Sequence, residues 1–149
     1  MRAVIQRVGR AAVKIAQQEI SSINEGILAL IGIEKGDTEA DADYILEKTI
    51  NLRIFEDEGN KMNRSLLDVG GAMMVVSQFT LLGNCVKGRR PSFVAAEEPE
   101  KAKKLYEYFV MKASEKVKAL ATGQFQEMMK VELVNDGPVT LLLDSRKIF

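Results

Sequence analysis

Arg2-Ala3-Val4-Ile5-Gln6-Arg7-Val8 opens the chain on a two-residue period, the repeat that sends successive side chains to opposite faces of a strand. Ala3, Ile5 and Arg7 share one face, and Val4, Gln6 and Val8 share the other. Segments 11–16, 18–23 and 26–33 read as further strands, with polar turns at Gln17-Gln18 and Asn24-Glu25-Gly26. The fold therefore starts with antiparallel strands. A guanidinium on an apolar face needs a partner, so Arg7 either snorkels from a sheet edge or belongs to a site.

Outward from this start, Asp37 or Thr38 can cap a helix whose apolar positions Ala42, Ile45, Leu46, Thr49 and Ile50 recur at helical spacing. Leu52–Phe55 is expected as a strand and Glu56-Asp57-Glu58-Gly59-Asn60 as its turn; these acids lack the ligand spacing of a calcium loop, and no metal is expected. Met73–Val76 reads as a buried strand. Pro99 suits the first turn of a long helix with the stripe Ala102, Leu105, Phe109, Ala113, Val117 and Leu120. Two strands, Met128–Val134 and Val139–Leu143, close the chain. Strands outnumber helices and short turns connect most of them, which predicts an α+β fold: a mixed, largely antiparallel sheet or partial barrel with helices packed on one side.

Composition narrows the chemistry. At 149 residues and 46% hydrophobic the chain fits one domain, 1–149. Its single cysteine and lack of histidine exclude an internal disulfide, a Cys/His zinc site and the usual neutral-pH acid or base. Cys85 reads as a small apolar filler. No run approaches the ~20 apolar residues of a membrane helix, so a cytoplasmic protein without a membrane partner is expected. Basic and acidic residues balance at 21 each, giving no global field for nucleic acid. Lys101, Lys103 and Lys104 read as a solvated helix face. Lys87-Gly88-Arg89-Arg90-Pro91-Ser92-Phe93 reads either as a solvated loop or as a phosphate contact.

Two stretches place polar groups where apolar strands end: Ser77-Gln78-Phe79-Thr80-Leu81 and Asn135-Asp136-Gly137-Pro138-Val139-Thr140. A regular strand would send Ser77 and Phe79 to one face and Gln78 and Thr80 to the other. Thr80 could act as a nucleophile but has no visible activating base; the plainer reading is a threonine bonded to backbone at a strand end. Gly137-Pro138 reads first as a turn between strands, and its X-Pro bond could also be cis.

At these motifs the chain resembles the D-aminoacyl-tRNA deacylases, also called D-tyrosyl-tRNA deacylases. The resemblance extends in order through Met1–Val8, Arg53-Ile54-Phe55, Lys61-Met62-Asn63, Arg90-Pro91-Ser92-Phe93, Leu105-Tyr106, Tyr108-Phe109-Val110, Thr122-Gly123 and Phe125. It implies a homodimer, with no cofactor expected, that cleaves the ester between a D-amino acid and the 3′-terminal adenosine of tRNA; if L-side chains are excluded by a clash, glycyl-tRNA, which has none, is expected to be cleaved as well. It further implies that Gly137 and Pro138 form a cis dipeptide reaching into the partner subunit's pocket to exclude L-side chains, braced by Arg7, and that Phe125 lines the adenine pocket. For Ser77, Gln78, Phe79 and Thr80 it implies a catalytic role, with Thr80 as nucleophile or, the preferred reading, with Phe79 and Thr80 backbone N–H groups binding the oxyanion while the ribose 2′-hydroxyl activates water. A threonine esterase for small esters, a non-catalytic binder of RNA 3′ ends and a structural dimer module are the alternatives. The segment 82–86 and the tail 145–149 lie outside the motifs.

Overall fold

The computed structural model describes residues 1–148. It contains eight strands and three helices in the order β1 (Arg2–Ile15), β2 (Gln18–Ile23), β3 (Gly26–Gly32), α1 (Glu39–Asn51), β4 (Phe55–Glu56), β5 (Met62–Arg64), α2 (Leu66–Val69), β6 (Ala72–Ser77), α3 (Pro99–Lys116), β7 (Ala119–Thr122) and β8 (Lys130–Asp144), with a 3-10 turn at Phe79–Leu82 after β6. β1 pairs antiparallel with β2, β3 and β8, whereas β3–β6 and β6–β7 are parallel. The path β2-β1-β3-β6-β7 curls on itself, and the Ser21 hydroxyl of β2 donates to the Thr122 carbonyl of β7 at 2.7 Å. The result is the expected mixed α+β architecture, nearly a barrel.

Strand alternation divides the core. Ala3, Ile5, Ile27, Ala29, Ile31, Met73 and Val75 face α1 and α3, while Val8, Leu28, Met74 and Val76 fill the curled interior. In β1 the parity changes: Ala3 and Ile5 face the helices, but Ala11 and Val13 face the interior. Between Val8 and Arg10 β1 advances two residues while β8 advances one. This is a β-bulge, and its extra residue, Gly9, lets one strand serve both cores. The strands expected over 2–8 and 11–16 are consequently one bent strand, β1, which ends at Ile15 before the turn at Ala16.

Thr38 precedes α1, and its N–H donates to the Asp41 carboxylate at 2.8 Å. The buried face of α1 is Ala42, Ile45, Leu46, Thr49 and Ile50, as its period predicts. Three elements depart from expectation. The stripe of α3 stops early: the helix ends at Lys116, and Leu120 lies on β7, whose backbone pairs with β6. Buried Tyr106 takes up the core position that the stripe overlooked. The strand over 52–55 shrinks to Phe55–Glu56 because Ile54 turns its carbonyl to the Arg7 guanidinium at 2.6 Å. Finally, Asn135–Thr140 is not a turn between two strands. Gln6 pairs with Thr140 and Val8 with Asn135, so residues 136–139 bulge from one continuous strand opposite Arg7.

Candidate active site

The parallel strands carry the first motif to one end of the sheet. Ile31 pairs with Ser77 where β3 and β6 finish, and the Gln78 N–H extends this pairing to the Ile31 carbonyl at 2.7 Å. The chain then winds into the 3-10 turn, so the strand alternation expected for residues 77–80 is broken. Gln78 Nε2 donates to Thr80 Oγ1 across that turn. The first N–H groups of a helical turn have no partner within it, and among the described residues no protein acceptor takes the N–H of Phe79 or Thr80. Phe79 is 57% exposed, its ring edge-on to Phe93 at 5.2 Å.

Ser77, Gln78 and Phe79 line a cleft of about 670 Å³, with Ala102 at the start of α3, Phe125 and Met129 among the opposing residues. The Tyr106 ring meets Phe125 at 5.7 Å. The Tyr106 hydroxyl donates to the Val75 carbonyl at 2.9 Å, and the same carbonyl receives the Gly123 N–H at 3.0 Å. These bonds tie helix, strand and aromatic wall together, and burial pushes the Tyr106 phenol well above its ordinary pKa. The cleft's carboxylates are Glu97 and Glu127; the Glu98 N–H, above all, holds Glu97 below the ordinary range. Among the described residues the Thr80 hydroxyl has one hydrogen-bond partner, the Gln78 side-chain amide, which donates to it.

The second motif stands elsewhere. Arg7, 7% exposed, donates from Nε to the Asp136 carbonyl at 3.3 Å and pairs with the Asp136 carboxylate at 3.0 Å. Asn135, to which the sequence alone assigns no role, clasps the bulge: its Nδ2 donates to the Arg7 carbonyl at 3.0 Å and to the Val139 carbonyl at 2.9 Å. The Gly137-Pro138 peptide is cis and Gly137 has φ +112°; both residues are exposed. Arg7, Asp136 and Gly137 line a separate cleft of about 1090 Å³ at the starts of β6 and β7.

The two motifs thus lie apart. Arg7 stands opposite Ile27 on β3 and Ser77 opposite Ile31, about 13 Å along the sheet and about 10 Å across it. No residue lines both clefts. Cys85 is exposed, not the expected core filler, because it sits on a loop outside both cores. Phe93, Met128 and Met129 were missed as neighbours of the first motif; each is distant in sequence and gives no local signal.

The cleft is lined by Ser77, Gln78 and Phe79 and walled by Phe125, Met128 and Met129 where the parallel strands β3 and β6 end, beside two backbone N–H groups that no protein acceptor takes among the described residues. The family model for D-Tyr-tRNA(Tyr) deacylase matches residues 4–144. The D-aminoacyl-tRNA deacylase of Syntrophus aciditrophicus is 61% identical over the full length of both chains, and that of Kosmotoga olearia 58%. A solved structure of a c-Myc DNA unwinding element binding protein superposes with a TM-score of 0.92 at 38% identity, covering 97% of this chain and 98% of that one. The chain belongs to the D-Tyr-tRNA(Tyr) deacylase family, and it is an enzyme.

Proposed function

We propose that the chain hydrolyses the ester between a D-amino acid and the 3′-terminal adenosine of tRNA, acting in the cytoplasm as a homodimer of single 1–149 domains without a cofactor. The names of its relatives support the reaction. The observation that carries the arrangement is the separation of the motifs: Gly137 cannot reach its own chain's Phe79 cleft, whereas an exposed loop can enter a neighbour's. Among the described residues β8 pairs with β1 alone, and Val134 and Leu142 on it are 63% and 58% exposed, which gives a second copy an unpaired edge to cover.

In this reading the terminal adenine stacks on Phe125, and the ester carbonyl points at the free N–H groups of Phe79 and Thr80. Water, oriented by the ribose 2′-hydroxyl, adds to that carbonyl, and the oxyanion gathers both N–H donors. The ester C–O bond then breaks, and the 3′-oxygen leaves with a proton. Thr80 serves through its backbone. Ser77 and Gln78 hold the turn, and the partner's Gly137-Pro138 loop, braced by that subunit's own Arg7, fills the space an L-side chain needs. Exclusion by roughly a thousandfold requires about 4 kcal/mol, within reach of a steric clash with backbone. An achiral glycyl ester offers nothing to exclude and is cleaved.

The test incubates matched D-tyrosyl-, L-tyrosyl- and glycyl-tRNA with the protein and follows ester loss. Cleavage of the D- and glycyl esters with the L-ester spared is expected. Equal loss of both tyrosyl esters defeats the chiral reading, and a stable D-ester defeats the deacylase reading.

A further inference from the structure

Between Asp68 and Glu97 the sequence holds no carboxylate, yet it holds Lys87, Arg89 and Arg90. In a chain whose net charge is zero this is a concentrated positive patch, and the fold gives it a defined shape. Asn84 and Ser92 exchange backbone hydrogen bonds of 2.8 and 3.0 Å, and the Val86 N–H returns to the Asn84 side chain at 2.9 Å. A hairpin results, with Gly88 in the left-handed region (φ +73°) near its tip. Lys87, Arg89 and Arg90 are exposed, and among the described residues none of them forms an ion pair.

The hairpin is anchored to the cleft. Phe93, directly after its base, packs edge-on against Phe79, and a Cβ on Gly83 would come within 2.9 Å of the Phe93 ring. This contact ties the base of the hairpin to the Phe79 end of the cleft.

We infer that the hairpin of residues 84–92 grips the phosphates of the substrate's single-stranded 3′ end, just upstream of the adenosine in the cleft; the inference rests on the deacylase reading. The three cations lie between Lys87 and Arg90, a span of up to about 10 Å. A stacked strand carries one phosphate per about 3.4 Å, so the cations meet roughly three consecutive phosphates. Such contacts set register and affinity without reading bases. They supply the electrostatic hold that the chain's overall charge does not.

The experiment titrates uncharged tRNA against the protein between 50 and 200 mM salt, comparing the wild type with the triple variant Lys87→Gln/Arg89→Gln/Arg90→Gln. Each phosphate neutralised on a single strand contributes about 0.7 to the log–log salt slope. The triple variant should therefore be shallower by about 2, with the roughly twentyfold wild-type loss from three such contacts over that range abolished. An unchanged slope overturns the inference. So does an equal fall in Lys101→Gln/Lys103→Gln/Lys104→Gln, which would assign the effect to net charge alone. A second readout compares kcat/KM for a D-aminoacyl ester on tRNA and on adenosine alone. A fall confined to the tRNA ester supports the grip, and an equal fall on both overturns it. The salt titration needs no turnover, so failure of deacylation and failure of the hairpin are told apart.

Discussion

Phe79→Pro deletes one backbone N–H, and the local geometry lets it do little else to the backbone. Phe79 is the first residue of its 3-10 turn, and Gln78 before it has φ −145° and ψ 78°. Proline fits the first position of a helical turn, where its missing N–H has no partner within the turn, and it requires the preceding residue to avoid the α region, which Gln78 does. The Gln78 N–H keeps its bond to Ile31. If the Phe79 N–H binds the oxyanion, its loss costs about 2.7–4 kcal/mol in the transition state, or roughly 10²–10³ in kcat. The substitution also removes a ring, so Phe79→Ala is the control: it keeps the N–H and gives up an edge-to-face contact with Phe93 worth about 0.5–1.5 kcal/mol. Single-turnover cleavage of D-tyrosyl-tRNA at saturating enzyme separates the two, with urea midpoints checking that both variants fold. The alanine variant should stay within about tenfold of wild type and the proline variant fall about a hundredfold further. Equal rates for the two would refute the backbone oxyanion site.

Thr80→Ala should keep its single-turnover rate within about tenfold if Thr80 serves through its backbone, as proposed; loss beyond about a thousandfold in a folded variant would make Thr80 the nucleophile. Arg7→Met should cost about 1.5–3 kcal/mol in urea denaturation for each charge-assisted bond given up to the Ile54 and Asp136 carbonyls, with D-ester cleavage weakened alongside. Asp136→Asn should cost under about 1 kcal/mol, since that carboxylate is half-exposed and the backbone carbonyl remains; the reverse ranking would contradict Arg7 as the brace. Tyr106→Phe should cost only about 1 kcal/mol, because the Val75 carbonyl retains the Gly123 N–H; a loss above about 3 kcal/mol would show that the carbonyl depends on Tyr106.

The regular parts of this fold were legible where period and burial coincide. The stripe of α1 is buried residue for residue, and the alternation of Ala3 and Ile5 continues to a buried Arg7, as its place on an apolar face required. Long-range register was not legible. Nothing local tells that Gly9 is a bulge, that Leu120 leaves a helix for a parallel strand, or that Asn135–Thr140 stays within one strand, because in each case the deciding partner is far away in sequence. The site divides similarly. Ser77–Thr80 and Gly137-Pro138 stood out by their chemistry, yet their separation followed only from the pairing of β1, β3 and β6. Phe93, Met129 and the clasp made by Asn135 needed the fold to bring them into place.

Mixed dimers test directly whether one ester pocket is assembled from the Phe79 cleft of one chain and the Gly137 loop of another. One subunit carries Phe79→Pro, with an intact loop. The other carries Gly137→Val, where φ +112° is poorly suited to any side chain and a Cβ would stand 2.9 Å from Arg7 Nη2, so its loop is spoiled while its cleft is intact. Each variant alone should lack D-selective cleavage. Dimers purified with one subunit of each kind should regain D-tyrosyl-tRNA cleavage at about half the wild-type rate with the L-ester spared, from the single pocket that joins an intact cleft to an intact loop. Mixed dimers no more active or selective than their parents would return the loop to its own subunit and contradict the account.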